Sequence, residues 1–89
     1  IVTARLEKYR DVTEEWLDKY GVKYEVLKMF PTERQAERDA NHAVEAANFK
    51  AKMFKKLGAS FFIESEKLEA QLIRSQVERL VICPDEVIL

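Results

Sequence analysis

The apolar positions of the chain change period several times, and each change marks an element. Ile1 and Val2, ahead of Thr3, form an apolar run of strand type. From residue 6 or 7 to residue 20, Tyr9, Val12, Trp16, Leu17 and Tyr20 recur at helical spacing. Between them stand Glu7, Lys8, Asp11, Glu14, Glu15 and Asp18. This predicts an amphipathic helix that buries its aromatic stripe and is closed by Gly21 as a left-handed cap. Residues 22–29 alternate partially and predict a second strand, ended by Phe30 and Pro31. Thr32 followed by Gln35 matches a capping box, within a stretch, 33–41, that is otherwise almost wholly polar.

Residues 40–57 carry the clearest helical stripe: Ala40, Ala43, Val44, Ala47, Ala51 and Phe54, widened by Phe49, Met53 and Leu57. Lys55 and Lys56 suit its last turn and Gly58 its end. Residues 60–63, Ser-Phe-Phe-Ile, read as a strand buried on both faces. Ser65 can cap a helix over 66–76 with Leu68, Leu72, Ile73 and Val77 inside. Residues 80–83 are a last strand, Pro84 stops it, and 85–89 form a tail. The order β-α-β-α-β-α-β predicts an α/β fold of Rossmann-like, three-layer type with a mainly parallel sheet and right-handed crossovers.

Composition narrows the function classes. With 89 residues the chain is one domain or part of one. An apolar share of 47% is too high for intrinsic disorder. No apolar run approaches the ~18–20 residues that cross a membrane. Fifteen basic against sixteen acidic residues argue against a nucleic-acid module. A single cysteine excludes an internal disulfide and a cysteine-based zinc site. With no signal-peptide pattern, that fits a cytoplasmic protein. The chain opens on Ile1 rather than methionine, inside an apolar run, so a missing upstream piece is expected.

In an open α/β sheet, ligands bind beyond the carboxyl ends of the strands. Those positions hold Thr3–Ala4–Arg5, Lys28–Met29, Glu64–Ser65 and Pro84–Asp85. A hydroxyl and backbone N–H groups at such a turn can hold a phosphate oxygen, Arg5 can fork onto an anion, and Glu64 suits a hard cation such as Mg²⁺. Lys50 stands among apolar or small residues, 46–51, and either snorkels or points at a site. Each has a plainer structural role: Thr3 as a turn residue, Arg5 and Glu64 as solvated charges, His42 on the surface, Cys83 as a small core residue, and Trp16, Phe61 and Phe62 as core. No nucleophile–base pair, glycine-rich phosphate loop or metal-ligand cluster is visible in the sequence.

Taken together, the segments resemble a known family. Ile-Val-Thr-Ala-Arg at 1–5 resembles the second motif of haloacid-dehalogenase-like (HAD-like) phosphohydrolases, a strand ending in Thr or Ser. Tyr-Arg-Asp-Val-Thr-Glu-Glu-Trp-Leu at 9–17 and Tyr-Gly-Val-Lys-Tyr at 20–24 look like the following helix and strand of polynucleotide-phosphatase-like and nucleotidase-like members. Asn48–Phe49–Lys50–Ala51 looks like the third motif, with Lys52 as the alternative motif lysine, and residues 61–65 look like the acidic fourth motif.

The resemblance implies a partial HAD-like domain over residues 1–89 and Mg²⁺-dependent hydrolysis of a phosphate ester, such as a nucleotide or a nucleic-acid end, through an aspartyl-phosphate. By position, Thr3 would bind the phosphoryl group, Arg5 would contact the substrate, Lys50 would stabilise charge, and Glu64 would help to hold Mg²⁺. The first motif, Asp-x-Asp-x-Thr, which supplies the nucleophile, is absent, and the fourth is Glu64–Ser65. The chain is therefore expected to be catalytically incomplete. In the family the absent strand lies centrally, between the strand ending at Thr3 and the one ending at Glu64. Its loss would leave a slot ~9–10 Å wide, twice the usual strand spacing. That slot is expected to be filled by an upstream piece or a second copy, or closed by direct pairing. The alternative reading is a non-catalytic α/β interaction module or a decayed relative that kept the scaffold.

Overall fold

Four short strands and four α-helices, two of them consecutive, lie along residues 1–84, the part of the chain that the computed structural model describes. The order is β1 (Val2–Leu6), a 3-10 turn (Glu7–Tyr9), α1 (Arg10–Lys19), β2 (Lys28–Phe30), a second 3-10 turn (Thr32–Arg34), α2 (Gln35–Ala40), α3 (His42–Leu57), β3 (Phe61–Ile63), α4 (Lys67–Arg74) and β4 (Leu80–Ile82). All observed pairing is parallel. In place of one sheet, however, the strands form two pairs, β1–β2 and β3–β4. The α/β character and parallel pairing hold; a continuous Rossmann-like sheet is not formed among the described residues.

Local chemistry explains where the elements depart from the sequence pattern. The second strand was expected over 22–29 but spans Lys28–Phe30. Its pairing with β1 begins at the Ile1 end: the Ile1 nitrogen donates to the Val26 carbonyl at 2.7 Å and the Ile1 carbonyl accepts from the Lys28 N–H at 2.8 Å. Among the described residues no strand is registered opposite 22–25, so the ladder starts at Lys28. β1 runs past Thr3, but its register with β2 slips between Thr3 and Leu6. Within that slip the Ala4 carbonyl accepts from the Arg38 guanidinium at 2.9 Å. Thr32 makes no capping box: its Oγ1 accepts from the Lys8 N–H at 2.9 Å, tying the two 3-10 turns together. At α4 the cap is Glu66, not Ser65; the Glu66 side chain accepts from the Leu68 N–H.

Adjacent β2 residues face opposite sides, as a pleated strand requires. Met29 joins Leu17 of α1 and Leu27, while Phe30 joins Leu6, Phe49 and Met53. So α1 and α3 cover opposite faces of the β1–β2 pair. The largest cluster joins Ala47, Ala51 and Phe54 of α3 to Ala70 and Ile73 of α4, Val77, Val81 of β4 and Cys83. Gly58 ends α3 with φ 66°, and Gly21 follows α1 with φ 67°, both in the left-handed region that glycine adopts freely.

Three expectations of burial are overturned. Tyr9, Val12, Trp16 and Tyr20 are exposed, and α1 buries only Thr13 and Leu17. A two-stranded ribbon offers too little surface to cover the whole aromatic stripe. Phe61 and Ile63 are exposed, 53% and 60%, because they share the face of β3 opposite Phe62, and no element among the described residues covers that face. Leu68 is exposed too, and Glu69 takes the inward place on α4. Cys83 is buried, as a small core residue should be. The tail, including Asp85, lies outside the described residues.

Candidate functional site

The site grows out of α3. A helix turns about 100° per residue. Phe49 and Met53 meet Leu6 and Phe30, while Ala47, Ala51 and Phe54 meet α4 and β4. Lys50 falls between those two groups, so its side chain points inward at the seam between the two strand pairs. It does not snorkel. Its Nζ donates to Oε1 of Glu64 at 2.7 Å and to Oε1 of Glu69 at 2.8 Å. The side chains of Lys50, Glu64 and Glu69 are 12%, 7% and 9% exposed.

Two elements hold the carboxylates. Glu64 directly follows β3, and its N–H donates to the Ile82 carbonyl at 2.9 Å, continuing the ladder with β4. Its second oxygen accepts from the Glu66 N–H at 3.1 Å, at the entry to α4. Glu69 lies in the first turn of α4 and is buried, as are Ala70 and Ile73. Burial by itself would depress the Lys50 ammonium below its ordinary 10.5; hydrogen bonds to Glu64 and then Glu69 outweigh this and hold it above. One ammonium against two carboxylates gives the triad the character of a buried ion cluster, which is costly unless fully hydrogen-bonded. No buried side-chain nitrogen or oxygen among the described residues lacks a partner.

Of the residues singled out from sequence, the structure joins Lys50 and Glu64. Thr3 and Arg5 take no part in the hydrogen bonds and ion pairs of that contact. Thr3 is half-buried in β1, paired with Met29 just before the register slips, and its Oγ1 accepts from the Arg5 N–H at 3.2 Å. Arg5 is exposed. Lys52 is exposed and lines a different depression, with Arg34, Asn48 and Phe49, on the outer flank of α3. His42 is on the surface. Glu69 was missed; the signal is its spacing, four residues before Ile73, which puts both on one helical face.

The donor set does not by itself make a Mg²⁺ site. Octahedral Mg²⁺ takes several oxygens. The two buried carboxylates already bond the Lys50 ammonium, and no group of three His, Cys, Asp or Glu side chains among the described residues could hold a metal ion.

One turn after Lys50, on the same side of α3, Phe54 lines an open groove of about 390 Å³. Ile1 and Val2 line it too, with Phe61, Phe62 and Ile63 of β3. The groove thus lies between the start of β1 and β3, two strands that belong to different pairs. No helix among the described residues is long and apolar enough to cross a membrane. Against known proteins, no family model, no curated protein and no solved structure matches this chain.

Proposed function

We propose that the chain is the C-terminal portion of a HAD-like, Mg²⁺-dependent phosphohydrolase of the cytoplasm. It would act on a phosphate ester, such as a nucleotide or a nucleic-acid end, and be catalytically incomplete as it stands. The contact of Lys50 with Glu64, fourteen residues apart, carries this reading. These are the residues that the resemblance assigns to the third and fourth motifs. A buried, charge-coupled cluster beyond a strand end is also where ionisable groups most often serve function.

On this reading Lys50 stabilises charge on the phosphate, and Thr3 and Arg5, which lie within β1 rather than beyond its end, contact the substrate. Both Glu64 oxygens are bonded within the cluster, so Mg²⁺ would take its ligands from outside the described residues, with Glu64 joining only if it exchanged the Lys50 contact. The groove between β1 and β3 supports the reading as the place for one further strand, supplied by an upstream piece or a second copy, that brings the nucleophile. Unpaired edge groups cost about 1–3 kcal/mol each when buried dry, so a strand there satisfies two edges at once.

A specific observation favours the non-catalytic alternative. Glu64 and Glu69 together already neutralise Lys50, as a scaffold that has lost its substrate would have them do. The reading frame ahead of Ile1 decides between the two. A strand ending in Asp-x-Asp-x-Thr, and Mg²⁺-dependent turnover of p-nitrophenyl phosphate by the whole gene product that is lost in Lys50→Ala, are expected. Absence of that motif, or turnover by the 89 residues alone that is lost in Glu64→Ala, overturns the proposal.

A further inference from the structure

The aromatic face of α1 is left over by the fold and takes no part in the site. Val12, Trp16 and Tyr20 lie along one exposed stripe, at 59%, 52% and 62% exposure, and the Trp16 and Tyr20 rings pack at 4.9 Å. Val12 and Trp16 line a dent of about 240 Å³ whose other walls are Glu15 and Lys19. Tryptophan and tyrosine are the residues that most often anchor interfaces. An apolar stripe with a charged margin is what a helix presents to another helix.

The margin says which helix. Glu15 and Lys19 are one turn apart on the same side of the stripe, and neither is in an ion pair among the described residues. In an antiparallel two-fold pairing, the same margin of both helices comes together, as in antiparallel coiled coils, and residues pair symmetrically about the axis. With the axis beside Trp16, each Trp16 meets its own copy, and Tyr20 enters the dent over Val12. Lys19 comes within reach of Glu15 of the second copy, twice over. The stripe is thus complementary to itself in shape and in charge.

We infer that α1 is the interface of a homodimer, formed by antiparallel packing of two copies through Trp16, Val12 and Tyr20 and fixed by reciprocal Lys19–Glu15 pairs. A contact made by one short helix per copy is small, so the dimer is weak and concentration-dependent. It leaves the β1–β3 groove open, because α1 and α3 lie on opposite faces of the β1–β2 pair.

Sedimentation of the purified protein over a concentration series tests this, with the fluorescence of Trp16, the chain's one tryptophan, as a second readout. Dimer formation and a blue shift of Trp16 emission should rise together. Trp16→Glu should abolish dimerisation while circular dichroism stays native. Glu15→Lys should weaken it, and Glu15→Lys with Lys19→Glu should restore it. A monomer at every concentration overturns the inference, as does a dimer that survives Trp16→Glu or a charge swap that fails to restore association. In the second case association runs through another surface, such as the groove, and the proposed function stands or falls separately.

Discussion

The Lys50 ammonium lies 2.8 Å from Oε1 of Glu69, nineteen residues later and on a different helix. With the 2.7 Å contact to Glu64, it locks α3, the end of β3 and α4 around one charge. Removing the ammonium leaves two carboxylates buried and unpaired. Lys50→Met is expected to cost about 3–5 kcal/mol, much of the ~5–15 kcal/mol that a small domain has. Adding Glu64→Leu and Glu69→Leu removes the stranded charges and should recover most of the loss. Urea denaturation of the single and triple variants checks both halves.

The same cluster sets an alkaline limit. The Lys50 pKa is higher in the folded protein than its ordinary 10.5. Between those two values the folded state binds more protons than the unfolded, so stability falls as pH rises there. Below the unfolded value the contribution is present in full. The midpoint for urea unfolding should show no Lys50-dependent change from neutral pH to about pH 10 and should fall above it. In the triple apolar variant this alkaline fall should be smaller. An equal fall in both would assign it to other groups.

Two phenylalanines that line the groove differ sharply in burial. Phe54 is 1% exposed and packs on Phe62 at 5.4 Å between ring centres, whereas Phe61 is 53% exposed at the groove. Phe54→Ala is expected to cost about 3–5 kcal/mol, and Phe61→Ala about 0.5 kcal/mol or less. Both are read from the shift of the unfolding midpoint at unchanged slope. A loss at Phe61 approaching that at Phe54 would mean that the groove is covered in solution.

Much of the architecture was legible because periodicity carries it. The stripe over 40–57 placed α3 to within two residues of its start, and Gly58 fixed its end. Lys50 was legible as a charge in an otherwise apolar helical segment, and Glu64 as an acid at a strand end. What sequence could not supply was the extent of each neighbour. The aromatic stripe of α1 has the right spacing for burial, but burial needs an opposing surface, and two paired strands provide only enough for Leu17. Phe61 and Ile63 read as interior for the same reason: hydrophobicity says what a strand would bury, not whether a layer covers both of its faces. Glu69 was hidden because acidic residues near a helix start ordinarily face solvent. Here the Lys50 ammonium, distant in sequence, reverses that preference.

The entry to α4 offers a last, small-scale test of how side chains set element boundaries. Sequence favours Ser65 as the cap, since a short hydroxyl before a helix commonly accepts from the free N–H groups of the first turn. The structure instead gives the position to Glu66, which is extended at φ −90° and ψ 117° and accepts from the Leu68 N–H at 3.3 Å. Its own N–H donates to Glu64, so the residue that holds Lys50 also anchors the start of the helix. Glu66→Ala removes the acceptor and a negative charge near the positive end of the helix dipole, at an expected cost of about 1 kcal/mol. Ser65→Ala leaves both interactions in place and should change stability by less than about 0.5 kcal/mol. Thermal unfolding of the two variants side by side gives the answer. A larger loss for Ser65→Ala would return the cap to the hydroxyl and detach the helix start from the Lys50 cluster.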